Sequence, residues 1–176
     1  MHDSMEAPSR PRHLFLTGEK QIGKSTVLRR LLAGRTAVTG GFLTVRLRTP
    51  EGGAVYMLRA GREEACSPEN LLFTKRKGIP SVIPGRFEAL GCAILRERAD
   101  CDLLIMDELG PAESEAAAFQ RAVLDCLDGN VPIYGVLQQG ESAFLETIRQ
   151  HPAVRLITVT EENRDRLPEA LEEQGW

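Results

Sequence analysis

Eight residues near the start of the chain, Gly18 to Ser25, read GEKQIGKS, which spaces two glycines, a lysine and a hydroxyl as G-x-x-x-x-G-K-S. That spacing suits a phosphate. Glycines let a backbone curl until successive N–H groups face an anion with no Cβ in the way. A helix that starts at the loop adds the positive end of its dipole. Lys24 is placed to reach β- and γ-phosphates, and Ser25 to offer its hydroxyl to Mg²⁺. The candidate nucleotide-binding set is therefore Gly18, Glu19, Lys20, Gln21, Ile22, Gly23, Lys24, Ser25 and Thr26, with Thr26 read as a helix-start residue.

A second constellation is "LLIMDE" at 103–108, four apolar residues followed by two carboxylates. A buried strand tipped by acid delivers Asp107 to the coordination shell of Mg²⁺. Glu108, one residue on, projects differently and can orient or deprotonate an attacking water. Many strands end in acid, so the pattern takes its meaning from the loop upstream. A third lies in "TVRLR" at 44–48, where Thr44, Arg46 and Arg48 share one strand face. Two arginines on one face either clamp phosphate oxygens or form a solvated outer surface. Arg48 is taken as the candidate charge stabiliser, beside Lys24 and Glu108 as catalytic groups. "TKRKG" at 74–78 reads as a solvated loop.

These residues need elements to carry them. "HLFLT" (13–17) is a short apolar run, and "KSTVLRRLLAG" places Val27, Leu28, Leu31 and Leu32 on one helical face before stopping at Gly34. "AVTGGFLTVRLR" and "AVYMLRAG" are strand-like and joined by the turn "TPEGG". "NLLFTKRKGIPSVIPG" reads as a loop-rich excursion with short strands. Beyond it, "RFEALGCAILRERA" is helical, "CDLLIMDELG" a strand, "ESEAAAFQRAVLDCLDG" a helix, "VPIYGVLQ" a strand, "ESAFLETIRQH" a helix and "AVRLITVT" a strand. "EENRDRLPEALEEQG" reads as a last helix disturbed near Pro168. Strands alternating with helices predict an α/β, three-layer sandwich around a mixed, mostly parallel sheet, with an antiparallel hairpin after the first helix.

Composition narrows the class. A chain of 176 residues with 42% hydrophobic and 27% charged residues predicts one globular domain over 13–176, with 1–12 as a frayed tail. No apolar run approaches a membrane span, and the first residues have no signal-peptide core, so the expected location is cytoplasmic. The four cysteines form no CxxC pair and read as reduced, mostly buried thiols. Net charge is −3 and aromatics are 5%, which argues against a nucleic-acid partner. The first hundred residues nonetheless carry a positive surplus able to hold a small polyanion. A protein partner is not indicated.

With the motifs in place, the chain resembles a family of small P-loop nucleoside triphosphatases first described from thermophiles, which has a human cancer-related member. The resemblance runs from about residue 13 to 172 and rests on "TGEKQIGKST", "GGFLT" (40–44), "MDELG" (106–110) and "VTEENRD" (159–165). It implies Mg²⁺-dependent hydrolysis of several nucleoside triphosphates with broad base tolerance and slow turnover. It also implies that Asn163 and Arg164 stand close to the base or sugar. From residue type alone these two are a helix-start cap and a solvated charge. The chain departs from the family at Val45 and Arg46, where two acids are usual, and at Pro111 to Ser114, where a lysine and a Met-Glu-Leu run are usual.

The expected activity is hydrolysis of the β–γ bond of ATP, GTP or other triphosphates. Glutamate directly after the strand-tip aspartate suits a water acceptor. The segment from Gln138 to Pro152 holds one arginine, Arg149, where a kinase would carry an arginine-rich lid. A nucleotide or small-molecule kinase, and a slow nucleotide-dependent switch, are the alternative readings.

Overall fold

The computed structural model describes residues 10–110 and 116–176. Part of the proposed tail and the "PAES" departure lie outside the described residues. The apolar runs become strands because each is covered on both sides. In β1 (His13–Thr17), β6 (Leu103–Leu109) and β7 (Ile133–Leu137) nearly every residue is buried, as expected for parallel strands under two helical layers. Alternate residues serve opposite cores. Phe15, Leu104 and Met106 join the side chains of α2 (Arg86–Arg96), α3 (Ala117–Asp128) and α4 (Ala143–Gln150). Leu14, Leu16, Leu103 and Ile105 face α1 (Lys24–Leu32) and α5 (Leu167–Glu173). The sandwich therefore has three layers.

The remaining strands are β2 (Thr39–Thr49), β3 (Gly52–Arg59), β4 (Leu71–Arg76), β5 (Ile79–Val82) and β8 (Val154–Thr158). All eight form one sheet in the order β5-β4-β3-β2-β6-β7-β1-β8. Strands β2, β6, β7, β1 and β8 run parallel, while β2 to β5 form an antiparallel meander. The fold class expected from the sequence is present, but the antiparallel part is four strands where a hairpin was expected. The stretch read as a solvated loop supplies β4 through Arg76, then turns at Lys77 and Gly78, both at positive φ. Pro80 is tolerated because β5 is an edge strand. The last helix also differs: it starts at Leu167, and Pro168 occupies its first turn, where a missing N–H is harmless. Among the described residues, no helix is long and apolar enough to cross a membrane.

At the amino end of β1, His13 is fully buried. Its Nε2 lies 2.9 Å from the Leu127 carbonyl oxygen and its Nδ1 accepts from Ile133 N at 3.1 Å, so the ring is neutral with hydrogen on Nε2. Burial pulls its pKa down, the Leu127 carbonyl opposes this, and Arg12 and His151 add to the lowering. Below about pH 6.5 the unfolded chain binds a proton that the folded chain refuses, so stability falls as pH drops. The expected slope contribution is at most about 1.4 kcal/mol per pH unit. Denaturant melts from pH 7.5 to 5.5 should show a shallower slope for His13→Asn than for the wild type; equal slopes would refute the assignment.

Candidate active site

A cleft of about 610 Å³ opens at the carboxyl ends of β1, β6 and β7, where ligands bind on open parallel sheets. One wall is the loop between β1 and α1, with Lys20, Gln21 and Gly23, continued by Lys24, Ser25, Thr26 and Arg29 of α1; the other is Leu43 to Arg46 of β2. Asp107 and Glu108 form its floor. At Gly18 the φ is +142°, and a Cβ there would stand 2.5 Å from the Val159 carbonyl oxygen, so the curl admits only glycine. Helix α1 begins at Lys24, which leaves the first N–H groups of the helix at the cleft.

Lys24 Nζ donates to the carbonyl oxygens of Gly18 and Glu19 at 2.8 and 2.6 Å. Burial lowers its pKa and nearby Glu108 opposes the drop. Ser25 Oγ, on α1, donates to Asp107 Oδ1 at 2.7 Å, although β7 lies between β6 and β1, the strand that leads into the loop. Asp107 is only 5% exposed. Burial pushes its carboxyl above the usual range; the Ser25 hydroxyl offsets part of this, Glu108 adds to it, and Arg29 and Arg46 oppose it. A hydroxyl and one buried carboxylate make a hard, all-oxygen donor pair. That pair fits Mg²⁺, which keeps several waters and takes its other ligands from phosphates. Among the described residues there is no cluster of three or more His, Cys, Asp or Glu to make a protein-only cage.

Glu108 has φ +83°, and the β6–β7 register shifts between Asp107 and Leu109. A bulge at this point turns the glutamate out of the strand alternation and into the cleft. For a non-glycine residue such a backbone costs about 1–3 kcal/mol and persists where surrounding structure imposes it. Its two oxygens have separate partners: Gln138 Nε2 donates to Oε1 and Arg46 Nη2 to Oε2, each at 2.6 Å.

The structure brings Lys24, Ser25, Asp107 and Glu108 together but not Arg48. The register Phe42↔Met106 sets Thr44 beside Asp107, whose carbonyl oxygen accepts from Thr44 Oγ1 at 2.7 Å. Arg46 is the next residue on that face and meets Glu108. Arg48 lies two residues further along, exposed, opposite Gly53 and outside the cleft lining. Of the two β2 arginines, Arg46 lines the cleft and the sequence candidate Arg48 does not, which corrects the expectation; Arg29 of α1 lines it too. Asn163 is spent on its own turn, accepting from Thr160 N at 2.8 Å and donating to the Thr158 carbonyl oxygen at 2.8 Å. Arg164 lies against the loop, with Nη1 3.4 Å from the Ile22 carbonyl oxygen. Arg149 is engaged by carbonyl oxygens of Gln138 and Gly140.

Sequence reasoning missed Gln138. The available signal was its position, a polar side chain directly after the apolar run of β7, level with the tip of β6.

Comparison with known proteins gives a consistent result. A family model described as NTPase matches residues 13–171. Nucleoside-triphosphatase THEP1 of Thermofilum pendens is 34% identical over 171 residues, covering 91% of this chain and 93% of that protein. Its namesake in Methanosarcina acetivorans is 30% identical, covering 90% and 93%. The solution structure of a human cancer-related nucleoside triphosphatase matches with a TM-score of 0.64 at 28% identity, over 93% of this chain and 97% of that one. The crystal structure of THEP1 from Aquifex aeolicus, with a TM-score of 0.69 at 23% identity over 90% and 96%, shares the fold.

Proposed function

The chain belongs to the NTPase family and is a nucleoside-triphosphatase, and from that premise we propose that it uses Mg²⁺ to cut the β–γ bond of nucleoside triphosphates. The observation that carries this reading is the Ser25–Asp107 contact at 2.7 Å, in which a hydroxyl and a buried carboxylate meet beside the loop and next to Glu108. Backbone N–H groups from Gly18 to Ser25 would bind the phosphate tail. Lys24 would exchange its two loop carbonyls for phosphate oxygens and offset charge that develops in the transition state. Ser25 and Asp107 would hold Mg²⁺, which supplies neutralisation of the phosphate charge when bound. Glu108 would orient a water for in-line attack. A bond forms from that oxygen to the γ-phosphorus, the bridge to the β-phosphate breaks with its electron pair, and the water proton passes to the carboxylate.

Water is favoured over another acceptor because Arg149, the lone lid candidate, is already spent on carbonyls beside β7. A cytoplasmic setting belongs to the same reading, supported by four free cysteines.

A phosphate-release screen over the common triphosphates with Mg²⁺ tests the proposal. Wild type should release orthophosphate. Lys24→Ala should lose about 100-fold in kcat/KM, since contacts between charged partners contribute about 1.5–3 kcal/mol each. Release of pyrophosphate, or an unaffected Lys24→Ala variant, would refute it.

A further inference from the structure

The carboxylate assigned to the water is occupied on both oxygens, and its two partners differ in kind. Gln138 is fixed. Its backbone N donates to the Leu109 carbonyl oxygen at 2.8 Å, Arg149 reaches its carbonyl oxygen, and its amide fills the space where a Cβ on Gly110 would come within 2.6 Å of it. Arg46 is held differently. Its side chain is 51% exposed, it lines the cleft, and its ion-pair partner is the Glu108 carboxylate. An exposed guanidinium–carboxylate pair has little net strength in water, about 0–1 kcal/mol. A phosphate offers the same fork a more highly charged bidentate acceptor.

We propose that the Arg46–Glu108 ion pair is a latch: Arg46 holds Glu108 Oε2 until a triphosphate arrives, then passes to the terminal phosphate and releases that oxygen to the attacking water. Gln138 keeps Oε1 throughout and is a positioning residue. Arg46, Lys24 and Ser25 line one cleft, so the guanidinium and the phosphate-binding groups face the same space. A diphosphate, which lacks the terminal group, leaves the latch closed. The device deters attack by water on anything but a complete substrate. This inference rests on the reading of Glu108 as the residue that handles water.

The test is a binding cycle that needs no turnover. Mg²⁺ with a non-hydrolysable triphosphate analogue, and separately with the diphosphate, is titrated calorimetrically into wild type, Glu108→Gln, Arg46→Ala and the double variant. Glu108→Gln weakens the competing ion pair and should tighten the triphosphate analogue about three- to thirtyfold, within the range of couplings seen for contacting residues. The diphosphate should be unaffected, and the gain should vanish in the Arg46→Ala background. Arg46→Gln in place of Arg46→Ala should give the same disappearance. A gain that persists without Arg46 would mean simple relief of repulsion between carboxylate and phosphate, and would overturn the latch. No gain in Glu108→Gln would overturn it too. Failure of the underlying reading looks different: Glu108→Gln would then turn over at the wild-type rate, whatever the binding cycle gives.

Discussion

Glu108→Gln is expected to lower single-turnover phosphate release by about 10³-fold, within the 10²–10⁴ that a positioned base contributes, while binding of Mg²⁺–triphosphate is kept or improved. Glutamine is close to isosteric with glutamate. Its amide can still accept at one atom, so the Gln138 contact has a replacement and the bulge has no reason to collapse. What is lost is the capacity to take a proton from water. The fold holds residue 108 at φ +83°, a backbone that only the surrounding sheet makes tolerable. Such strain is spent on aim, since without the bulge the side chain after Asp107 would alternate away from the cleft. Rapid-quench measurement of phosphate release, paired with equilibrium binding, separates the chemical step from affinity. A variant with wild-type release would show that Glu108 does not handle the water and that the bulge has another purpose.

How far the site was readable follows from where its parts lie along the chain. The loop and its helix are contiguous, so eight residues carry both the curl and the lysine. The acid-tipped strand is likewise local, and its burial on two faces leaves an unbroken apolar run. Arg46 and Arg48 could not be separated that way, because they are the same residue type on the same face. Only the pairing of β2 with β6 chooses between them. The bulge at Glu108 has no sequence mark, since it depends on the register with β7. Strands β4 and β5 were obscured for another reason. Their exposed, charge-rich tips and Pro80 mimic a loop, and their pairing comes from being the outer part of a meander.

Asp107→Asn is expected to reduce Mg²⁺-dependent hydrolysis by about 10²-fold or more while raising the melting temperature of the protein measured without metal or nucleotide. The two effects have one cause. A carboxylate that is 5% exposed has given up its hydration, and its compensation is one hydroxyl, Ser25, with Arg29 and Arg46 nearby. Glu108 adds a second negative charge next to it. Burying a charge without a full set of partners is unfavourable, and an amide of the same shape avoids that penalty while still accepting from Ser25 Oγ. A gain of about 1 kcal/mol would raise Tm by about 2–4 °C for a domain of this size. Added Mg²⁺ with a triphosphate analogue should reverse the order, because binding stabilises the wild type by mass action and the asparagine variant far less. Thermal melts in chelator and in saturating Mg²⁺–analogue make the comparison. A variant less stable than wild type in chelator would show that the Asp107 carboxylate holds the fold together, and the case for a site that sacrifices stability to hold a cation would be lost.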